Sequence, residues 1–215
     1  MIYEEVNATA PIRQGDIFAG VPRVELSLDQ LSLVDEAEQP TSAAWKDLVS
    51  EKRDRVAAIC CLKAVSAIVI SQDCDALRAS DISLCEIRPL AEVDGMFKTP
   101  GKGAEWWAKM IPQQCQRNLK WFYLPPAPLV QFSERMAVDF RITVRVALAD
   151  LTALMHLRRA RLNPEADEHF RERLSEFFRR YPYDEWYPLN QTEFAAYQRN
   201  DPEAAPKAWQ SQPNP

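Results

Sequence analysis

A run of small and apolar residues, Ala67-Ile68-Val69-Ile70-Ser71, leads directly into Gln72-Asp73-Cys74-Asp75. Five such residues bounded by polar turn formers predict a buried strand that ends abruptly. One thiol is thereby set between two carboxylates at a strand terminus. After a loop rich in Asp and Ser, Ile82-Ser83-Leu84-Cys85-Glu86-Ile87 predicts a second short strand. Two apolar strands separated by so little chain constrain the fold to a sheet-based one, with the Cys74 turn at one end of it.

The chain has 215 residues, enough to bury a sizeable core, and its 47% hydrophobic and 27% charged residues suit a soluble globular protein. No apolar run approaches the roughly 18 residues that a membrane span requires. The start, Met1-Ile2-Tyr3-Glu4-Glu5, is acidic where a leader would be basic, so the expected location is cytoplasmic. The five cysteines are irregularly spaced, with Cys60 and Cys61 adjacent, which fits reduced thiols better than a disulfide framework. A net charge of −5 and a pI near 5.2 argue against broad nucleic-acid binding. The arginines between Arg135 and Arg180 are interleaved with carboxylates, as helical ion pairing would require.

Along the chain, Gln14-Gly15-Asp16-Ile17 reads as a turn entering a strand, and Val21, Val24, Leu26 and Leu28 continue that strand or its partner, with a break at Pro22. Trp45, Leu48 and Val49 share one face of a helix that begins after Pro40-Thr41-Ser42. Strands are expected at 56–62 and 64–71, joined as a hairpin around Lys63. Thr99–Gly103 reads as a linker, followed by a helix over 105–116 that presents Trp106, Trp107 and Met110 and is interrupted at Pro112. Strands are expected at 120–124 and 136–146. In the latter, Val138, Phe140, Ile142, Val144 and Val146 face one way and Asp139, Arg141, Thr143 and Arg145 the other. The final third is expected to be helical. There Asn163-Pro164-Glu165 is a helix start and Phe170, Leu174, Phe177 and Phe178 form its apolar stripe.

The Gly-Asp-Ile strand start, the Ala67–Ser71 strand and the Glu86-Ile87-Arg88-Pro89-Leu90 strand end resemble, in that order, the core of the SH3-like barrel of the MazF/PemK toxins, and Val138-Asp139 is similar to a late strand start there. The resemblance implies an α+β fold with a small antiparallel barrel over 1–150 that carries helical insertions near 41–55 and 104–118; beyond it the residues themselves read as a helical region over 151–199 and a disordered tail over 200–215. It does not carry the toxin activity across. The arginine-bearing loop of the ribonucleases is replaced by the long segment Leu26–Arg55, and no hydroxyl stands at Arg88-Pro89-Leu90. The Ser-Gln-x-Cys-Asp turn resembles instead bacterial proteins with the same Gly-Asp-Ile start. MazF-like regulators in bacterial defence systems imply a non-catalytic role that binds another protein. The alternative is a divergent endoribonuclease toxin using Arg88 with Asp73 and Asp75, since phosphodiester cleavage needs an acid, a base and a cation at the phosphate.

Taken by themselves, the residues of the turn leave three readings of Cys74. Two flanking carboxylates disfavour a thiolate nucleophile. Its only histidine partners would be His156, expected in a core, and His169, expected at the surface. The cysteines contain no Cys-x-x-Cys pair, so no metal and no cofactor is expected, although Cys74 and Cys85 could approach one another. The third reading is structural: Ser71, Gln72 and Asp75 brace a tight turn and Cys74 packs inward. Gly101-Lys102-Gly103 lacks the rest of a phosphate-loop pattern and reads as linker. Adjacent indoles on a helix point about 100° apart, so Trp106 and Trp107 are candidate anchors for a partner, together with Ser71, Gln72, Cys74 and Asp75.

Overall fold

A computed structural model describes residues 1–34, 39–51, 55–76, 78–98, 105, 107–108, 120–179, 191–199 and 202–203. The chain divides into two compact units, Met1–Phe178 and Arg179–Pro215. In the second unit, Gln191–Gln198 is helical.

The first unit is mixed α+β. Its main sheet contains β1 (Tyr3–Glu4), β2 (Asp16–Glu25), β6 (Cys61–Val69), β7 (Asp81–Pro89), β8 (Trp121–Leu124), β9 (Met136–Ala147) and β10 (Arg158–Leu162). The spatial order is β1-β10-β2-β6-β7-β9-β8, with every neighbouring pair antiparallel. The sheet curls into a half-barrel. Its two edge strands carry no ladder between them, but the Tyr3 hydroxyl donates to the Pro125 carbonyl at 2.8 Å and its ring meets Phe132 edge-on.

Both faces of the central strands are buried, which explains their near-continuous apolar runs. Alternation sends Ile17, Ile68, Cys85, Ile87, Val138 and Phe140 to the inner face and Phe18, Ala67, Val69, Ile82, Leu84 and Val144 to the outer one. Helix α5 (Pro164–Phe178) fills the inner side, with Phe170 packed against Phe122 and Phe140. Asn163 caps that helix through the Ala166 N–H at 2.9 Å, as its Asn-Pro-Glu start predicts. Its apolar stripe ends earlier than expected, because Phe178 is 64% exposed.

A second sheet, in the order β4-β3-β5, comprises β3 (Leu31–Val34), β4 (Pro40–Ala43) and β5 (Ala58–Ile59), with helix α1 (Trp45–Ser50) between the last two. Leu31, Leu33 and Leu48 form its small core. This insert joins the body through a two-stranded stalk, the outer halves of β2 and β6, where Val24 lies opposite Leu62 and Arg23 opposite Lys63.

Several expectations are corrected. No hairpin turns at Lys63: β6 runs unbroken from Cys61 to Val69 and pairs with β2. Pro22 does not break β2, because β10 pairs only with its first residues and the proline falls on a free edge. The strand at 136–147 is not the last, since the stretch expected to be wholly helical contains β10. Of the α1 face, only Leu48 is buried, while Trp45 and Val49 are exposed. The linker at 99–103, Trp106, Met110 and Pro112 lie outside the described residues. So does the tail after 199 except Pro202 and Glu203.

Candidate functional site

The Gln-Gly-Asp turn, the end of the Ala67–Ser71 strand and the first turns of α5 meet at one place. Gly15 adopts φ 83°, which a side chain would strain, and its N–H donates to the Val69 carbonyl at 3.0 Å. Asp16 is fully buried. It accepts from Arg161 Nε at 2.6 Å, from Arg158 Nη1 at 3.1 Å and from the Arg13 N–H at 3.0 Å. Two guanidiniums on one buried carboxylate join β10 to β2, and removing one partner would leave charge stranded in the interior.

One layer outward, Asp73 Oδ1 accepts the Gln14 N–H at 2.9 Å, while its Oδ2 accepts from Arg171 Nη2 at 3.1 Å and lies 3.5 Å from Arg13 Nε. Burial pushes the Asp73 carboxyl upward, but the Gln14 N–H and the two arginines outweigh it and hold the carboxyl below the usual range. Arg171 also donates Nε to Asp167 Oδ2 at 2.9 Å. The other oxygen of Asp167 is buried without a hydrogen-bond partner against Gly15, where an added Cβ would lie 2.8 Å away. Burial therefore raises the Asp167 carboxyl above its ordinary range, against the pull of Arg171. The groups border an open cleft of about 450 Å³. Asp73 thus ties the turn before β2 to α5 through the Gln14 N–H, Arg13 and Arg171, the last of which Asp167 also engages.

The other residues of the turn are placed differently. Ser71 accepts the Ser83 N–H at 2.9 Å, as a turn-bracing role requires. Gln72 is exposed. Cys74 does not pack inward but is exposed, 3.9 Å from Gln72 Oε1 and 3.8 Å from Asp75 Oδ1. The carboxylate that holds the turn is Asp73; Asp75 is exposed, its side chain in contact with Cys74. Cys85 is buried on the inner face, where burial and the Asp139 charge push its thiol to about 12. His156 is exposed where a core position was expected, and His169 is exposed as expected. Among the described residues no cluster of three metal-ligating side chains forms.

Arg88 is not brought to this turn. It lies five residues beyond Ser83 on β7, on the order of 17 Å along the strand, pairing with Glu92 at 3.2 Å and approaching buried Asp139 at 3.6 Å. Asp139 is held mainly by Arg141 through two contacts of 2.8 Å, so the expected polar face of β9 is covered at this point. Nearby, Trp107 is half-buried. It packs edge-on against Tyr123 with centroids 4.6 Å apart, and the Arg135 guanidinium sits 4.1 Å over its ring.

A second candidate surface lies on the insert. Of the ten large apolar residues exposed among the described residues, seven fall within 24–62: Val24, Leu26, Leu28, Trp45, Val49, Ile59 and Leu62. Within this set Val24 is opposite Leu62, the Trp45 N–H donates to the Leu28 carbonyl at 2.8 Å, and Val49 lies one turn after Trp45. Sequence reasoning read these residues as ordinary strand and helix faces. The pairing of Asp73 with Arg13 and Arg171 was also missed, because it joins segments far apart in the chain.

The fold and these sites define an α+β protein with a curled antiparallel half-barrel, an arginine–carboxylate junction and an apolar insert. Among the described residues no helix is long and apolar enough to cross a membrane. Comparison with protein-family models and with curated proteins finds no match to the chain.

Proposed function

We propose that the protein is a non-catalytic, protein-binding regulator built on a MazF/PemK-like half-barrel, and that its insert carries the docking surface. The observation that carries this reading is the concentration of exposed apolar residues on the insert and its stalk. Scattered apolar residues are normal on any surface, whereas seven of the ten exposed among the described residues, concentrated in one insert and its stalk, support an interaction site. The order of the Gly15-Asp16-Ile17 start, the apolar β6 and the Arg88-Pro89-Leu90 strand end supports the family resemblance, and with it a setting in bacterial defence or stress response. The distance between Arg88 and Asp73 favours binding over the alternative ribonuclease, which would need its cation and carboxylates at one phosphate.

The test is capture of the native partner by tagged protein from its own host. Val24→Asp and Leu62→Asp are exposed changes that should lose the partner while stability stays within about 0.5 kcal/mol of the parent. Retention of the partner by both variants would remove the insert as the docking surface. Cleavage of single-stranded RNA by the purified protein, abolished by Arg88→Ala, would overturn the regulator reading in favour of the toxin.

A further inference from the structure

Resting on that reading, we propose that the outer edge of β6 at Cys61–Ala64 receives an extended segment of the partner protein that alternates apolar with polar residues and sets a carboxylate beside Lys63. The stalk is a two-stranded ribbon: β6 pairs with β2 throughout, but with β7 only from Ser66 to Val69. Cys61–Ala64 therefore have a strand on one side alone among the described residues, and all four are exposed. Two strands are marginally stable in water, and a third completes the open ladder. The opposite edge of the ribbon is the poorer template, because Pro22 there offers no N–H.

The ribbon's side chains specify the pattern of the incoming strand. Along β6, Ile68, Ser66, Ala64 and Leu62 share the inner face, so the apolar face of the barrel continues outward along the stalk through Ala64 and Leu62, with Pro22 and Val24 opposite. Leu62 is 65% and Val24 56% exposed. Alternate apolar residues of an added strand would extend that face. On the outer face, Lys63 stands directly opposite Arg23, a like-charge pair that costs stability when uncompensated. Arg23 is already engaged by Glu25 and by buried Glu86. Lys63 has no carboxylate partner among the described residues. A carboxylate on the added strand beside Lys63 supplies the missing charge. A second copy of this edge cannot: Cys61-Leu62-Lys63-Ala64 contains no acid, and an edge lysine is the usual device against self-pairing.

The experiment uses two blocked synthetic hexapeptides, one alternating Val and Glu and the other alternating Val and Lys, added to the full-length protein. Amide hydrogen exchange locates binding, and titration gives the affinity ratio. The Glu peptide should bind roughly threefold or more tighter than the Lys peptide and should slow exchange within Cys61–Ala64. Lys63→Glu, an exposed substitution, should reverse the preference. Equal affinity for both peptides, protection elsewhere, or a preference unchanged in Lys63→Glu would overturn the proposal. So would a dimer in sedimentation whose dissociation unmasks Cys61–Ala64. The partner-capture result with Val24→Asp is read separately. If it supports docking on the insert while the peptides fail, this edge is excluded and the insert reading stands.

Discussion

The half-barrel body and the stalked insert use their apolar residues in opposite ways. In the body, strands covered on both faces bury their aliphatic residues, and buried carboxylates such as Asp16 and Asp139 are matched by arginines from other strands or neighbouring residues. In the insert, a core of Leu31, Leu33 and Leu48 is outnumbered by the apolar residues left at its surface. The difference teaches that a segment's hydrophobic content does not fix its role. The same residue types hold the body together and stay exposed on the insert, because too few layers exist there to cover them.

The largest test of this contrast is Asp16→Ala. It strands Arg158, whose side chain is only 2% exposed, beside Arg161, and should lower global stability by about 3–5 kcal/mol in denaturant unfolding. A loss below about 1 kcal/mol would mean that ion pairing is not what holds β10 to β2. Leu48→Ala should cost about 2–3 kcal/mol, and the loss should be local. Hydrogen exchange should quicken across Leu31–Val34 while β7 and β9 keep their protection. If both regions quicken together, body and insert form one cooperative unit and the contrast is one of surface only.

The smallest effect separates two carboxylates within the body itself. Asp73 is held below its ordinary range, so its contribution is present above the unfolded value and is lost as pH falls through the folded one. Asp167 is raised, so its charged form costs stability, and that cost is relieved as pH falls through the raised value. Unfolding measured over roughly pH 3 to 7 should therefore show Asp73→Asn most damaging near neutrality and Asp167→Asn most damaging in acid. Parallel pH dependences would break the assignment of opposite environments to the two groups.

Much of the body was legible because its signals are local. The Ala67–Ser71 run and the Asn163-Pro164 cap each depend on neighbours a few residues away, and each appears in the structure. The single apolar face expected for 138–146 does not, because the register shift opposite Cys85–Ile87 sends Val138 and Phe140 inward but Val144 and Val146 outward. The corrections arise where pairing partners are distant. Lys63 reads as a turn until β2 is seen beside it, and Asp139 reads as solvent-facing until Trp121 and α3 (Leu90–Val93) cover that side of β9. Cys74 drew attention through its flanking acids, yet the junction is made by Asp73, through Gln14, Arg13 and Arg171.

The sequence by itself determined that the chain would form a sheet of apolar strands with a polar turn after Ser71, a helix beginning at Asn163 and an inserted segment after Leu26. Periodicity, capping and turn chemistry act over a few residues and need no partner to be read. Only the tertiary structure decided that β10 would return to β2, that Asp16 and Asp73 would each collect two arginines, and that the apolar residues of the insert would face outward. Those outcomes depend on which layers stack on which. Charge pairing and burial are properties of neighbours in space, and the neighbours of Asp73 lie 59 residues back at Gln14 and 98 residues forward at Arg171.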